Sequence, residues 1–166
     1  MANTQSMCTS FLSELMLGQH QLGASTIVSR TSLTSPTTDT LKAALYFASA
    51  TITANTQTYS TTGEVTNTSG TGYTAGGVTV TNATAPANAN SSATAGVGYW
   101  TPSASFSWTA LTVTTAFDCV LVYNSTQSNK AISVHTFGSQ TITAGTFTLT
   151  MPSNTTTTAL IRLATT

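Results

Sequence analysis

The side chains able to move protons or attack bonds are few, and their spacing decides what chemistry they can support. The four carboxylates, Glu14, Asp39, Glu64 and Asp118, each fall in a different segment. Hydrolysis by two carboxylates needs an acid and a base or nucleophile about 5 to 9.5 Å apart. Separated segments supply no such pair by themselves, and surface or salt-bridge roles are the reading favoured. His135 and Ser133 would share one face of a strand. With Cys119 and Asp118 they complete the residue types of a nucleophile, base and orienting acid. Cys119, however, sits in an apolar alternation, and Ser133 with His135 reads as a polar strand face. His20, near Gly18, reads as a residue at a helix C-terminus. The run from Gly70 to Gly77 is glycine-rich but misses the spacing of a dinucleotide loop, and no strand-loop-helix unit surrounds it. It reads as a turn, with a contact loop as the functional alternative. No catalytic residue, metal ligand or cofactor is expected.

Composition explains why the chemistry is so sparse. Of 166 residues, 40% are hydrophobic, which can fill one core, but only 5% are charged. Ordinary soluble proteins carry roughly 25%. Threonine makes up about a quarter of the chain, replacing Lys and Glu with an uncharged, β-branched residue suited to a pleated surface. A net charge of zero leaves little repulsion between copies and favours association. The basic residues Arg30, Lys42, Lys130 and Arg162 are scattered, so no stripe exists to neutralise a run of phosphates, and nucleic-acid binding is not expected. No apolar run approaches the roughly 20 residues that span a bilayer. The start has neither the basic residues nor the continuous apolar core of a signal peptide, so synthesis in the cytoplasm is expected.

Residues 4–20 carry a helical pattern, with Met7, Phe11 and Leu15 on one row and Cys8, Leu12 and Met16 on the next. Gly18 and Gly23 are stopping points. Thr26 to Ser29 reads as a short extended segment before a polar linker containing Pro36. From Leu41 onward the pattern is that of short strands separated by Gly, Asn, Ser and Pro. They are expected over 41–48, 58–61, 77–82, 98–101, 105–114, 117–124, 131–137, 146–151 and 159–163. Within 105–114 the apolar phase shifts from Phe106 and Trp108 to Leu111 and Val113, which a bulge explains. Phe117 to Tyr123 is apolar on both faces, as in a central, doubly covered strand. Phe147, Leu149 and Met151 alternate with Thr146, Thr148 and Thr150, giving one wet face. The stretches 62–77 and 83–97 read as long loops. These elements predict a mainly β protein: an antiparallel β-sandwich, of which a jelly roll is one form, with one N-terminal α-helix. Residues 1–40 form a helix and arm, and residues 41–166 the sandwich domain.

Several segments together resemble a group of small virion proteins of tailed bacteriophages: MANTQSMCTSFLSELMLGQ, LKAALYFASA, GEVTNTSGTGYTAGGVTVTN, VLVYNSTQSNKAISVHTFGSQTITAGTFTLTMP and the ending ALIRL. The resemblance spans nearly the whole chain and rests on the order of the segments. Leu12 departs from it, since the group often has a polar residue there. The resemblance implies a structural phage protein and brings no catalytic or binding residues with it.

The expectation is therefore a non-catalytic virion protein, a capsid cement or decoration protein that binds the major capsid protein or other virion subunits. A homo-oligomer is expected, with a trimer favoured. A tail or neck component, or a receptor- or carbohydrate-binding module, is the alternative. The residues expected to contact partners are Met7, Phe11 and Leu15 on the helix stripe, Tyr73 in the glycine-rich loop, and Tyr99 and Trp100 beside the second long loop. Cys8 and Cys119 lie far apart and match neither a disulfide framework nor a zinc site. Both are expected to stay free thiols, so alkylation of the denatured chain without reductant should add two labels by intact mass; a product with none would overturn this.

Overall fold

A computed structural model describes residues 3–16, 18–22, 39–65, 72–81, 84–91 and 94–164. The expected extended segment at 26–29 and the linker around Pro36 lie outside the described residues.

The alternation of β-branched and aromatic residues from Phe106 onward produces two long strands joined by a tight turn. In chain order the elements are β1 (Ser6–Met7), α1 (Thr9–Met16), β2 (Leu41–Phe47), β3 (Val78–Thr79), β4 (Ala87–Ser91), β5 (Thr94–Trp100), β6 (Phe106–Asn124), β7 (Lys130–Leu149) and β8 (Ile161–Ala164). They form two antiparallel sheets, one ordered β1-β7-β6-β2-β3 and one ordered β4-β5-β8. The protein is thus mainly β with one short N-terminal helix, as its sequence implies.

The turn between β6 and β7 is built by Asn124, whose Oδ1 accepts from the backbone N–H groups of Thr126 and Gln127, both at 3.1 Å. Ser128 and Asn129 then take positive φ values of 53° and 59°. The first half of this hairpin is the centre of the molecule. Cys119 to Asn124 of β6 and Ala131 to Val134 of β7 are all buried, so both faces are covered. Tyr123 stacks on Tyr59 and donates to the Gly76 carbonyl, whereas the next residue, Asn124, meets His20. Because successive strand residues face opposite ways, Tyr59 and Gly76 cover one face and His20 of the N-terminal segment lies on the other. Trp100 and Ile161 of the small sheet join the same apolar cluster.

The second half of the hairpin is amphipathic. Phe106, Trp108, Leu111 and Val113 are buried, while Ser107, Thr109 and Thr114 face solvent. The expected phase change is a real bulge: pairing slips between Trp108 and Leu111, where Ala110 adopts φ 52°. Further slips on both strands keep the ladder continuous, so segments expected as separate strands fuse into β6 and β7 of 19 and 20 residues. Residues 87–91, expected as loop, form β4, which pairs with β5. The expected strand at 58–61 reduces to a single bridge between Thr58 and Lys130.

The helix is shorter than its pattern suggests. Ser6 and Met7 pair with Val134 and Ser133 of β7, so the first expected turns are extended instead. At the far end Gly18 takes φ 69° and its N–H reaches the Leu15 carbonyl, the left-handed stop that glycine permits. Cys8 and Phe11 are fully buried, as is Cys119, and both cysteines are free thiols. Burial pushes each thiol up to about 12, which keeps it protonated and slow to react until the chain unfolds.

Two glycines with the same backbone conformation stand in opposite surroundings. A Cβ at Gly18 would meet nothing within 4 Å, whereas at Gly77 it would fall on the Ala43 carbonyl oxygen of β2. Gly18→Ala should therefore cost only the left-handed penalty of about 1 to 2 kcal/mol. Gly77→Ala should cost clearly more because β2 must move. Urea midpoints of the two variants measure the difference, and equal midpoints would contradict the close approach.

Candidate functional site

The polar residues that could do chemistry are distributed over three places, each set by the central hairpin. At the turn end, Asn124 is fully buried and uses its whole amide. Its Nδ2 donates to Asp39 Oδ2 at 2.5 Å and to His20 Nδ1 at 3.0 Å. Since Nδ1 accepts, the ring proton sits on Nε2, which donates to Glu14 Oε2 at 2.8 Å. Lys130 Nζ completes the chain with a 2.7 Å bond to Glu14 Oε1. Burial alone would raise the Glu14 pKa, but the Lys130 and His20 donors outweigh it and hold the carboxyl below its usual range.

On the opposite face, Glu64 is buried and accepts from Tyr59 OH at 2.7 Å, Tyr73 OH at 2.7 Å and the Gly76 N–H at 2.6 Å. Burial, then the Glu64 charge, push the Tyr73 hydroxyl far up, so it remains a donor at any ordinary pH. Tyr123 is pushed up to about 12 by the same two causes. Glu64 is thus a buried acceptor that ties Tyr59 to Tyr73 and Gly76.

The third place is a cavity of about 270 Å³ between β1, β7 and β8, lined by Met7, Ser133, His135 and Arg162 among others. Ser133 Oγ and His135 Nε2 lie 2.8 Å apart, so the expected shared face is real. The wider constellation is not assembled. Cys119 pairs opposite Thr136 while Val120 pairs opposite His135, which puts the thiol and the imidazole on opposite faces. The Asp118 carboxylate is held by Asn3 instead. Burial drives the His135 pKa down to about 4, making it a weak base that is neutral at pH 7.

The residues expected to meet partners divide between surface and interior. Leu15 and Tyr99, both half-buried, line one groove of about 290 Å³ with Leu22, Trp100 and the exposed Leu163, where the helix end approaches the small sheet. Met7 is half-buried in the Ser133–His135 cavity, and as a β1 residue it leaves the helix row it was expected to share. Phe11, Tyr73 and Trp100 require correction as contact residues, since they are 0%, 2% and 1% exposed. Phe11 packs edge-on against His20, Tyr73 serves Glu64, and the Trp100 indole donates to the Thr84 carbonyl. Of Tyr73, Tyr99 and Trp100, the loop aromatics expected at a contact surface, Tyr99 alone keeps access to solvent. Sequence reasoning missed Asn124, Asp39 and Glu64 as network centres. For the two acids the available signal was their isolation in a chain this poor in charge, whereas Asn124, one of many Asn residues, carried none.

Comparison with protein-family models, curated proteins and solved structures gave no match.

His135 sets a pH dependence whose sign follows from its lowered pKa. The unfolded chain, with a pKa near the ordinary 6.5, takes up a proton more readily than the folded chain at about 4. The His135 contribution to stability should be constant above about 6.5 and fall as pH drops toward 4. His135→Gln should flatten that slope in urea titrations across this window, and an unchanged slope would show that His135 does not carry it.

Proposed function

We propose that this chain is a non-catalytic structural protein of a tailed-phage particle, a cement or decoration subunit that binds neighbouring capsid subunits. The segment resemblance supplies the class. The observation that carries a binding role is where the charges are: Glu14, Asp39 and Glu64 are buried, and Lys130 is paired with Glu14. What remains outside is chiefly hydroxyl, amide and small apolar surface. Such a surface has little electrostatic repulsion to prevent close approach and a smaller desolvation cost than a charged one.

On this reading the subunit bridges joints in the shell and stabilises them by burying further area, since anything that binds only the assembled state favours it. The half-buried Leu15 and Tyr99, with Leu163 at the rim of the same groove, are the apolar part of that contact. A capsid role requires hundreds of copies per particle, while a tail or neck role requires a dozen or fewer, so quantitative mass spectrometry of purified particles separates the two.

Attachment by neutral surfaces should depend weakly on salt. The screening length shrinks from about 10 Å at 0.1 M to about 3 Å at 1 M, which weakens contacts between charged patches. Apolar burial is not weakened in this way. Particles sedimented through this range of sodium chloride should keep most of their copies, and release of most of them would overturn the neutral mechanism.

A further inference from the structure

Beyond the bulged middle of β7, its last residues run straight beside β6 and leave their other side unpaired among the described residues. β1 reaches β7 only at Ser133 and Val134. We infer that the outer edge of β7 around Gly145–Leu149 is a strand-pairing surface, and that its occupant is the same edge of a second copy of this chain.

The direction of the backbone groups can be read from two bonds. The Met151 N–H donates to Ser105 Oγ at 3.1 Å, so it points toward β6. Alternation along a strand gives Leu149 and Phe147 the same direction, and gives Thr148 and Thr146 the opposite one. The hydroxyls of Ser107 and Thr148 lie 3.1 Å apart, the close side-chain approach of a pair that exchanges no backbone bonds. Thr146 and Thr148 therefore turn their N–H and C=O groups outward.

This edge lacks the usual protection by charge or proline. From Ala131 to Ile161 there is no Asp, Glu, Lys or Arg, and Pro152 lies beyond the strand. An edge that meets its own copy antiparallel therefore opposes no like charges, and its outward Thr side chains face further Thr side chains. Phe147 and Leu149, which are only partly buried, would gain cover from the same contact. Pairing of one edge with itself is isologous and closes on a two-fold axis, so the unit is a dimer rather than a three-fold ring. The inference concerns the purified chain and is independent of the virion reading.

The test is the mass of the full chain in solution, by light scattering on a sizing column over a concentration series, with circular dichroism as a check of folding. Thr148→Pro removes an outward N–H while leaving the bonds that Phe147 and Leu149 make to β6, and proline is tolerated on an edge strand in that setting. The wild type should form a dimer and T148P a folded monomer. Thr148→Lys, which opposes two like charges across the axis, should also give a monomer and decides the matter if the proline variant does not fold. Thr114→Lys, exposed on β6 away from this edge, should leave the dimer intact. A wild type that stays monomeric, a trimer, or a dimer that survives T148K would overturn the inference, as would a dimer broken by T114K and not by T148P.

Discussion

Asn124 joins three parts of the chain through one amide. Its oxygen closes the β6–β7 turn, and its nitrogen ties that turn to Asp39 and to His20. Through His20 and Glu14 the same chain of bonds reaches Lys130, the first residue of β7. The residues that begin the hairpin's return strand are thus fixed to the helix that covers it. A fully buried amide must have its hydrogen-bonding positions satisfied, and losing a partner there costs roughly 1 to 3 kcal/mol. That penalty penalises alternative placements of the N-terminal segment and of the turn together, which makes the network specify a geometry as well as stabilise it.

The same reasoning accounts for the acids. A buried carboxylate is costly unless it is paired or well hydrogen-bonded. Here Glu64 is met by two phenols and an amide, and Asp39 by Asn124, the Gln21 N–H and Gln127. Among the described residues, Glu64 and Asp39 are thus met by neutral donors, and Glu14 by a lysine and a histidine. With Glu14, Asp39 and Glu64 buried, few acids remain outside. The low charge of the exterior is in part a consequence of how the interior is satisfied.

How much could be read beforehand depended on the range of the interaction concerned. The alternation of Phe147 and Leu149 with Thr146 and Thr148, the phase slip after Trp108 and the doubly apolar run before Asn124 are all local, and each appears as expected. β4 was not legible because Ala87 to Ser91 is small and polar, and its pairing with β5 comes from backbone groups that carry no side-chain signature. The first turns of the expected helix fail for a related reason: their amides are claimed by β7, a partner more than a hundred residues away. Tyr73 and Trp100 were placed outside because they adjoin polar loops, yet a buried carboxylate and the small sheet draw them in. Neighbours in sequence say little about an aromatic residue whose partners are distant.

The Ser133–His135 pair shows why residue types alone do not make a catalytic site. A general base works best when its pKa lies near the operating pH, because it must be both unprotonated and willing to take a proton. Burial achieves the first for His135 and defeats the second. An orienting carboxylate would restore basicity by stabilising the imidazolium, as the acid of a triad does. Asp118 is engaged with Asn3, and the other acids are held in the two networks above. What the pair does accomplish is to satisfy a buried hydroxyl and an imidazole nitrogen against each other at the edge where β1 joins the sheet. Among the described residues Glu14, His20, Asn124, Glu64 and the Ser133–His135 pair are directed at other polar groups of the chain. The exposed surface is left chiefly to hydroxyls, amides and backbone edges, groups that act through shape and hydrogen bonds without long-range steering.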